Sequence, residues 1–175
     1  MTRPVLVSVL AALALAAPAS AAPPQVTDPA GDWVVPSQDV LGVRIERATV
    51  DGRPAVRTVL TLAAAPDPAG TYYTFVSLGC DQWTLGNRWY AHPEPFLVRG
   101  RCDTATPELP VFEPATMAIS GNELAFIAVL PAGTRDRRVD GIGGHTSVGS
   151  PAGVMVNGVL VMNGDVAGGR VRHTL

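Results

Sequence analysis

The sequence predicts an all-β fold, an antiparallel β-sandwich of the immunoglobulin-like or jelly-roll kind. Short stretches alternate between apolar and polar side chains, and turn-forming Gly, Pro, Asn and Asp residues separate these stretches at short intervals. Beyond the first twenty or so residues, no run keeps a helical period for more than one or two turns. Eight to ten short strands of this kind are typical of a sandwich, and a barrel is the alternative that the same pattern allows.

The first 21 residues have the layout of a secretory signal peptide. Arg3 precedes an apolar run over 5–17, and the small residues Ala19 and Ala21 stand at the positions expected before a cleavage site. A membrane span needs about 20 apolar residues in a helix, and Pro18 interrupts this run before that length. We therefore expect a secreted protein with a single β-sandwich domain over 22–175 and no membrane span in the mature chain.

The first half of that domain predicts a hairpin followed by further strands. The stretches "DVLGVRIERATV" and "PAVRTVLTLAA" alternate in polarity on either side of the turn at 51–53, with Arg44 and Glu46 on the polar face. The next strand is expected in "TYYTFVSLGC", then two short strands around Gly86-Asn87, and another in "PFLVRGRC".

The second half predicts two hairpins and two irregular segments. Three prolines make 103–115 a loop or an edge, and a hairpin turns at Gly121-Asn122. Residues 131–153 are rich in glycine and arginine, which predicts a long loop. The Asn157-Gly158 pair within "VMVNGVLVM" predicts the last hairpin.

Two cysteines, Cys80 and Cys102, are the only ones in the chain. In an oxidising compartment, an even pair predicts one disulfide. A metal or redox pair is the alternative, and the absence of a Cys-x-x-Cys motif argues against it.

The charge balance is mildly acidic, with 13 basic residues, all arginine, against 15 acidic residues and a formal net charge of −2. No basic stripe is present, which argues against nucleic acid as a partner.

The tetrapeptide Asp-Pro-Ala-Gly occurs twice, at 28–31 and at 67–70, so by itself it predicts only a reverse turn. The first copy is followed by a second acid, Asp32, and a third, Asp39, stands at the start of the first long strand. Carboxylates and backbone carbonyls are the ligands that calcium takes in proteins. Asp28, Asp32 and Asp39 are therefore the predicted metal ligands, with a solvated Asx turn as the alternative.

The stretch "VTDPAGDWVVPSQDVLGVRIE" resembles the opening of bacterial secreted β-sandwich domains related to carbohydrate-binding family 9 and DOMON-like modules. Their first strand follows an Asp-Pro-x-Gly-Asp turn, which is matched here from Asp28 to Asp32, and begins with Asp-Ile or Asp-Val, matched at Asp39-Val40. The resemblance implies a sandwich with structural calcium near the turn. It also implies a late acid close to the same site, for which Asp165 is the candidate.

The expected function is that of a non-catalytic binding or structural module for an extracellular ligand, a carbohydrate or an envelope protein. Trp83 and Trp89 are the predicted ligand-binding residues, since exposed aromatic rings stack on sugars, while packing in the core is the alternative for both. A small hydrolase is the alternative function, with Asp140, His145 and Ser147 in a loop over 140–150. No Gly-x-Ser-x-Gly elbow accompanies them. No cofactor other than calcium is expected.

Overall fold

The computed structural model describes residues 22–79, 81–88, 93–101, 111–132, 134, 138–147, 154–156, 159–161 and 165–175. These residues form twelve β-strands and no helix. The described part of the chain therefore includes no helix that could cross a membrane. The strands are β1 (Val26–Thr27), β2 (Val40–Val50), β3 (Arg53–Leu62), β4 (Thr71–Leu78), β5 (Asp81–Gly86), β6 (Phe96–Arg101), β7 (Phe112–Ser120), β8 (Glu123–Val129), β9 (Arg138–Ser147), β10 (Val154–Val156), β11 (Val159–Val161) and β12 (Val166–Thr174).

Ten of these strands form one antiparallel sheet in the order β1-β2-β3-β8-β7-β6-β5-β4-β9-β12. β7 belongs to both halves of the sheet, because 112–114 pair with β6 and 115–120 pair with β8. The first and last strands of this order contact each other, and Val26 packs against Gly169. The predicted all-β antiparallel class is confirmed, and the sheet is a continuous, barrel-like one that nearly closes.

The core lies between the two halves of the sheet. Hydroxyl groups meet across it, since Thr58 Oγ1 and Thr74 Oγ1 are 2.6 Å apart. Its largest fully buried side chains come from both halves and include Tyr72, Trp83, Phe126, Ile45, Leu60, Leu62, Leu85, Leu97 and Leu124.

The first predicted hairpin is confirmed in its turn and in its inward face. Asp51 and Gly52 both have positive φ, 50° and 74°, as a two-residue primed turn requires. The alternate residues of β3 predicted to share a face are all buried, namely Val56, Thr58, Leu60 and Leu62. The hairpins of β7 with β8 and of β10 with β11 also pair as predicted.

Arg44 was expected on a solvated polar face, but it is buried and only 3% exposed. Its Nη1 and Nη2 donate to the two carboxylate oxygens of Glu123 at 2.6 and 2.9 Å, and its Nε donates to Glu46 at 2.7 Å. Hydrogen bonds from Arg44 hold the pKa of the Glu123 carboxyl below its usual range. Because each of the three guanidinium nitrogens donates to a carboxylate, a charged residue can be buried on this face.

The loop predicted over 131–153 is wrong for 138–147, which form β9 between β4 and β12. The glycines of β9 allow close packing. A Cβ on Gly144 would lie 2.1 Å from Leu60 Cδ2, and one on Gly143 would lie 2.9 Å from the Ala167 carbonyl oxygen. A loop or an edge was expected over 103–115. Residues 112–115 instead begin β7, where 112–114 pair with β6 and 115 pairs with β8. Residues 103–110 and most of the short strand expected after Asn87 lie outside the described residues.

Candidate metal centre

The two copies of the Asp-Pro-Ala-Gly turn use their aspartates differently. In the second copy, the Asp67 carboxylate accepts from the Ala69 N–H at 2.8 Å, and the Gly70 N–H donates to the Asp67 carbonyl at 2.9 Å. In the first copy, the Gly31 N–H donates instead to Asp39 Oδ2 at 2.7 Å. Within the described part of the chain, no amide of the first turn donates to the Asp28 carboxylate, so that carboxylate is available for another ligand.

Three carboxylates converge beside this first turn. Asp28, Asp32 and Asp165 each offer an oxygen, and these oxygens all lie within 4.8 Å of one another. Asp28 follows β1, and its N–H donates to the Leu41 carbonyl at 3.0 Å. Asp165 immediately precedes β12 and is 7% exposed. The structure therefore joins two of the three predicted ligands with the late acid expected from the resemblance.

Asp39, the remaining predicted ligand, is not one of these three clustered acids. It is 2% exposed, and its Oδ2 fixes the turn through Gly31. Its Oδ1 is buried and has no hydrogen-bond partner. A buried carboxylate oxygen without a partner is destabilising, so it indicates a place where a cation or another donor would be favourable.

The electrostatics of the site disfavour the charged forms of Asp28 and Asp32. Burial raises the pKa of Asp28, and the charges of Asp32, Asp165 and Asp39 raise it further. The pKa of Asp32, which is exposed, is also raised, first by partial desolvation and then by the charges of Asp165 and Asp39. None of the ion pairs between described side chains involves these aspartates. The negative charge is thus left for a cation to neutralise.

The site lies where the two edges of the sheet meet, and hydrogen bonds join the edges there. Asp165 Oδ2 accepts from the Val40 N–H at 2.5 Å, and Thr146 Oγ1 donates to the Gln38 carbonyl at 2.5 Å. Gln38 Nε2 in turn donates to the Ser147 carbonyl at 3.2 Å. We call this junction of the 28–40 segment with β9 and β12 the seam. Gln38 and Thr146 were not predicted, since 108 residues separate them and no local pattern links them.

The aromatic prediction is corrected for Trp83, which is 1% exposed and belongs to the core. A buried indole cannot stack on a sugar in solution, so Trp83 is a packing residue. Trp89 lies outside the described residues, as do Cys80 and Cys102.

The residues of the alternative hydrolase site do not assemble. His145 is 1% exposed, and neither of its ring nitrogens has a hydrogen-bond partner. Asp140 Oδ2 accepts from the Gly79 N–H at 2.7 Å, and the Ser147 hydroxyl has no partner. A triad needs the imidazole hydrogen-bonded between an acid and a nucleophile, and the structure provides neither bond.

A cleft of about 730 Å³ lies elsewhere, between the β2–β3 turn and the outer side of β7 and β8. Its lining is largely apolar, with Arg53 and Glu113 as the charged residues, and includes none of the predicted site residues.

Comparison of the chain with models of protein families, with curated proteins and with solved structures finds no match. The acid cluster is therefore interpreted from its own geometry.

Proposed function

We propose that this protein is a secreted, non-catalytic β module whose seam is closed by a bound calcium ion. One observation carries the proposal, namely the convergence of Asp28, Asp32 and Asp165 next to the unpartnered buried oxygen of Asp39. These acids come from segments far apart in the sequence. Local turn formation therefore does not explain why Asp165 lies beside Asp28 and Asp32.

Calcium suits the donor set better than softer metals do. All the available ligand atoms are carboxylate or carbonyl oxygens, and no histidine or cysteine is among the clustered residues. Calcium binds oxygens at about 2.4 Å, so two oxygens on one ion can be up to about 4.8 Å apart. The separations within the trio fall inside that limit. Asp28, Asp32 and Asp165 would hold the ion, with Asp39 Oδ1 as a further donor.

Neutralisation of the cluster would stabilise the folded protein. The raised pKa values of Asp28 and Asp32 mean that like charges oppose one another in the folded state. A divalent cation replaces this repulsion with attraction between the 28–40 segment and the start of β12. The expected role of the ion is structural, since the described residues around it include no nucleophile paired with a base.

The test is unfolding of the purified protein in EDTA, followed by addition of calcium or magnesium. We expect calcium to stabilise the protein by about 2.7 kcal/mol at a hundredfold excess over its dissociation constant. Asp32→Asn should abolish the response and, in EDTA, should be more stable than the wild type because one like charge is gone. The response should also weaken as pH falls, since protons compete for Asp28 and Asp32, whose pKa values are raised.

Asp67→Asn is the matched control, because Asp67 opens the same tetrapeptide but its carboxylate is used within its own turn. This variant should keep the full calcium response even if its turn is weakened. Equal stability of the wild type in EDTA and in calcium, or an undiminished response in Asp32→Asn, would contradict the proposal.

We also propose the disulfide and the sandwich description of the fold. In the β5–β6 pair, Asp81 is directly opposite Arg101. Cys80 immediately precedes Asp81 in the sequence, and Cys102 immediately follows Arg101. Directly opposite positions of an antiparallel pair have a Cα separation of about 4.5–5.5 Å, which a disulfide can bridge. Alkylation of both cysteines in the denatured protein without prior reduction would contradict the bond. The sandwich view rests on the two half-sheets that share β7 and enclose the core.

Export and ligand class rest on the sequence. The layout of 1–21 supports secretion, and recovery of a protein that begins at Ala22 from the medium would test it. The resemblance supports a carbohydrate or an envelope protein as the extracellular ligand. With Trp83 in the core, Trp89 alone of the two tryptophans stays a candidate for stacking. Retention of the protein on insoluble polysaccharides or cell-wall preparations is the corresponding assay.

A further inference from the structure

We infer that the cleft beside the β2–β3 turn binds a short apolar peptide and recognises both of its charged ends. The cleft has a volume of about 730 Å³, which is the size of a site for a small ligand. It lies where β7 leaves β8, since 115–120 pair with β8 whereas 112–114 pair with β6. Pro114 on β7 and Leu130 after β8 line the two sides of this divergence.

The lining of the cleft is apolar and accessible to solvent. Its half-buried apolar residues include Val50, Ile127, Val129 and Leu130. Arg53 and Pro114, which also line it, are exposed. A ligand that covers the half-buried side chains would remove apolar surface from water, which favours binding.

Two opposite charges lie on either side of this apolar lining. Arg53 belongs to β3 and Glu113 to β7, and these two strands are the neighbours of β8 in the sheet. Adjacent strands are about 4.8 Å apart, so the backbones that carry the two charges are about 10 Å apart. Neither Arg53 nor Glu113 forms an ion pair with another described side chain. Both charges are therefore available to a ligand.

The pairing of β7 with β8 adds a backbone acceptor to the cleft. Ser120 and Glu123 flank a two-residue turn, so they form a hydrogen-bonded pair, and such pairs recur at every second residue along the strands. The same alternation brings Val129 opposite Pro114. Because proline has no N–H, the Val129 carbonyl receives no hydrogen bond from β7 at this position. Glu113 and Val129 both line the cleft, so a carboxylate and a carbonyl can accept from a ligand there.

These groups match a peptide with free termini. Its ammonium group would donate to the Glu113 carboxylate and the Val129 carbonyl, and its carboxylate would accept from the Arg53 guanidinium. Its apolar side chains would cover residues such as Leu130. Three extended residues span about 10 Å, which matches the separation of the two charged residues. A fatty acid would leave Glu113 without an opposite charge, and an apolar amine would leave Arg53 without one.

Isothermal titration of the purified protein with the tripeptide Leu-Ala-Leu tests this inference. We expect saturable binding that becomes about tenfold weaker when the peptide is N-acetylated or carries a C-terminal amide. Arg53→Gln should weaken binding of the free peptide about tenfold and leave binding of the amide unchanged, because the amide has no carboxylate for Arg53 to bind. Arg172→Gln is the matched control, since Arg172 is an exposed arginine on β12 outside the cleft.

No saturable binding of the tripeptide would overturn the inference, as would equal affinities for the free peptide and its amide. Undiminished binding by Arg53→Gln would overturn it too. Backbone amide NMR of the wild type gives a readout that does not depend on a variant. The peptide should shift the amide signals of 127–130, and shifts confined to other parts of the chain would contradict the proposed location.

Discussion

His145 should make the stability of this protein sensitive to mild acid. The side chain is 1% exposed, its ring lies parallel to that of Tyr73 with centroids 5.9 Å apart, and both ring nitrogens lack partners. Burial lowers the pKa of His145 to about 4. Between about pH 4 and pH 6.5, the folded protein therefore holds a neutral imidazole where an unfolded chain would bind a proton.

The size of the effect follows from the difference between the two pKa values. An unfolded histidine titrates near 6.5, so the stability contributed by neutral His145 is complete above that pH. It is lost as pH falls from about 6.5 towards 4, because the unfolded state then binds more protons than the folded state. Each unit of pKa difference corresponds to about 1.4 kcal/mol, so the difference between about 6.5 and about 4 corresponds to a loss of about 3 kcal/mol.

Urea unfolding at a series of pH values between neutral and about 4 measures this loss. His145→Gln should remove most of the decline, whereas His173→Gln, at a half-buried position on β12, should retain it. Asp28 and Asp32 act in the opposite direction at the acid end because their pKa values are raised. The comparison is therefore made between variants at each pH. An unchanged decline in His145→Gln, or an imidazole NMR titration centred near 6.5, would refute the reasoning.

Two further substitutions test the packing around the sheet. Glu123→Gln should cost about 1–2 kcal/mol at neutral pH, because buried Arg44 exchanges charged acceptors for a neutral one. Because the pKa of Glu123 is lowered in the folded state, the stability difference between the variant and the wild type should shrink as pH falls below about 4.5. A stability difference that persists in acid would show that the charge of Glu123 is not its cause. Gly144→Ala should cost about 1–3 kcal/mol, since its Cβ would meet Leu60, whereas Gly100→Ala, with its nearest neighbouring atom 3.5 Å away, should be nearly neutral in the same unfolding assay.

Local patterns were sufficient to predict the fold class and most hairpins. The positive φ values at Asp51, Gly52 and Gly121 arise from the residues themselves, so the turns can be recognised in a single sequence. The buried face of β3 at Val56, Thr58, Leu60 and Leu62 follows in the same way from period-two polarity. These features depend on neighbours a few residues apart, which is the range over which sequence patterns are informative.

The features that the sequence did not predict depend on contacts between distant segments. The glycines of β9 suggested a loop, because the side chains that require them, such as Leu60, belong to other strands. Arg44 was expected in solvent, since its partner Glu123 is 79 residues away. The candidate site combines local and distant contributions. Asp28 and Asp32 were predicted from their common turn. Asp165 was suggested only by the family resemblance, and the seam brings it close to the other two.

The seam also has a consequence for the order in which the molecule folds. The contact between Val40 and Asp165 spans 125 residues, whereas the hairpins of β2 with β3 and of β7 with β8 close across two-residue turns. Contacts between distant segments carry the largest loop-closure entropy, so the hairpins should form early and the seam should form late. An interaction that is absent from the folding transition state slows unfolding and hardly changes the rate of folding. Whatever stabilises this junction therefore acts mainly on the lifetime of the native protein.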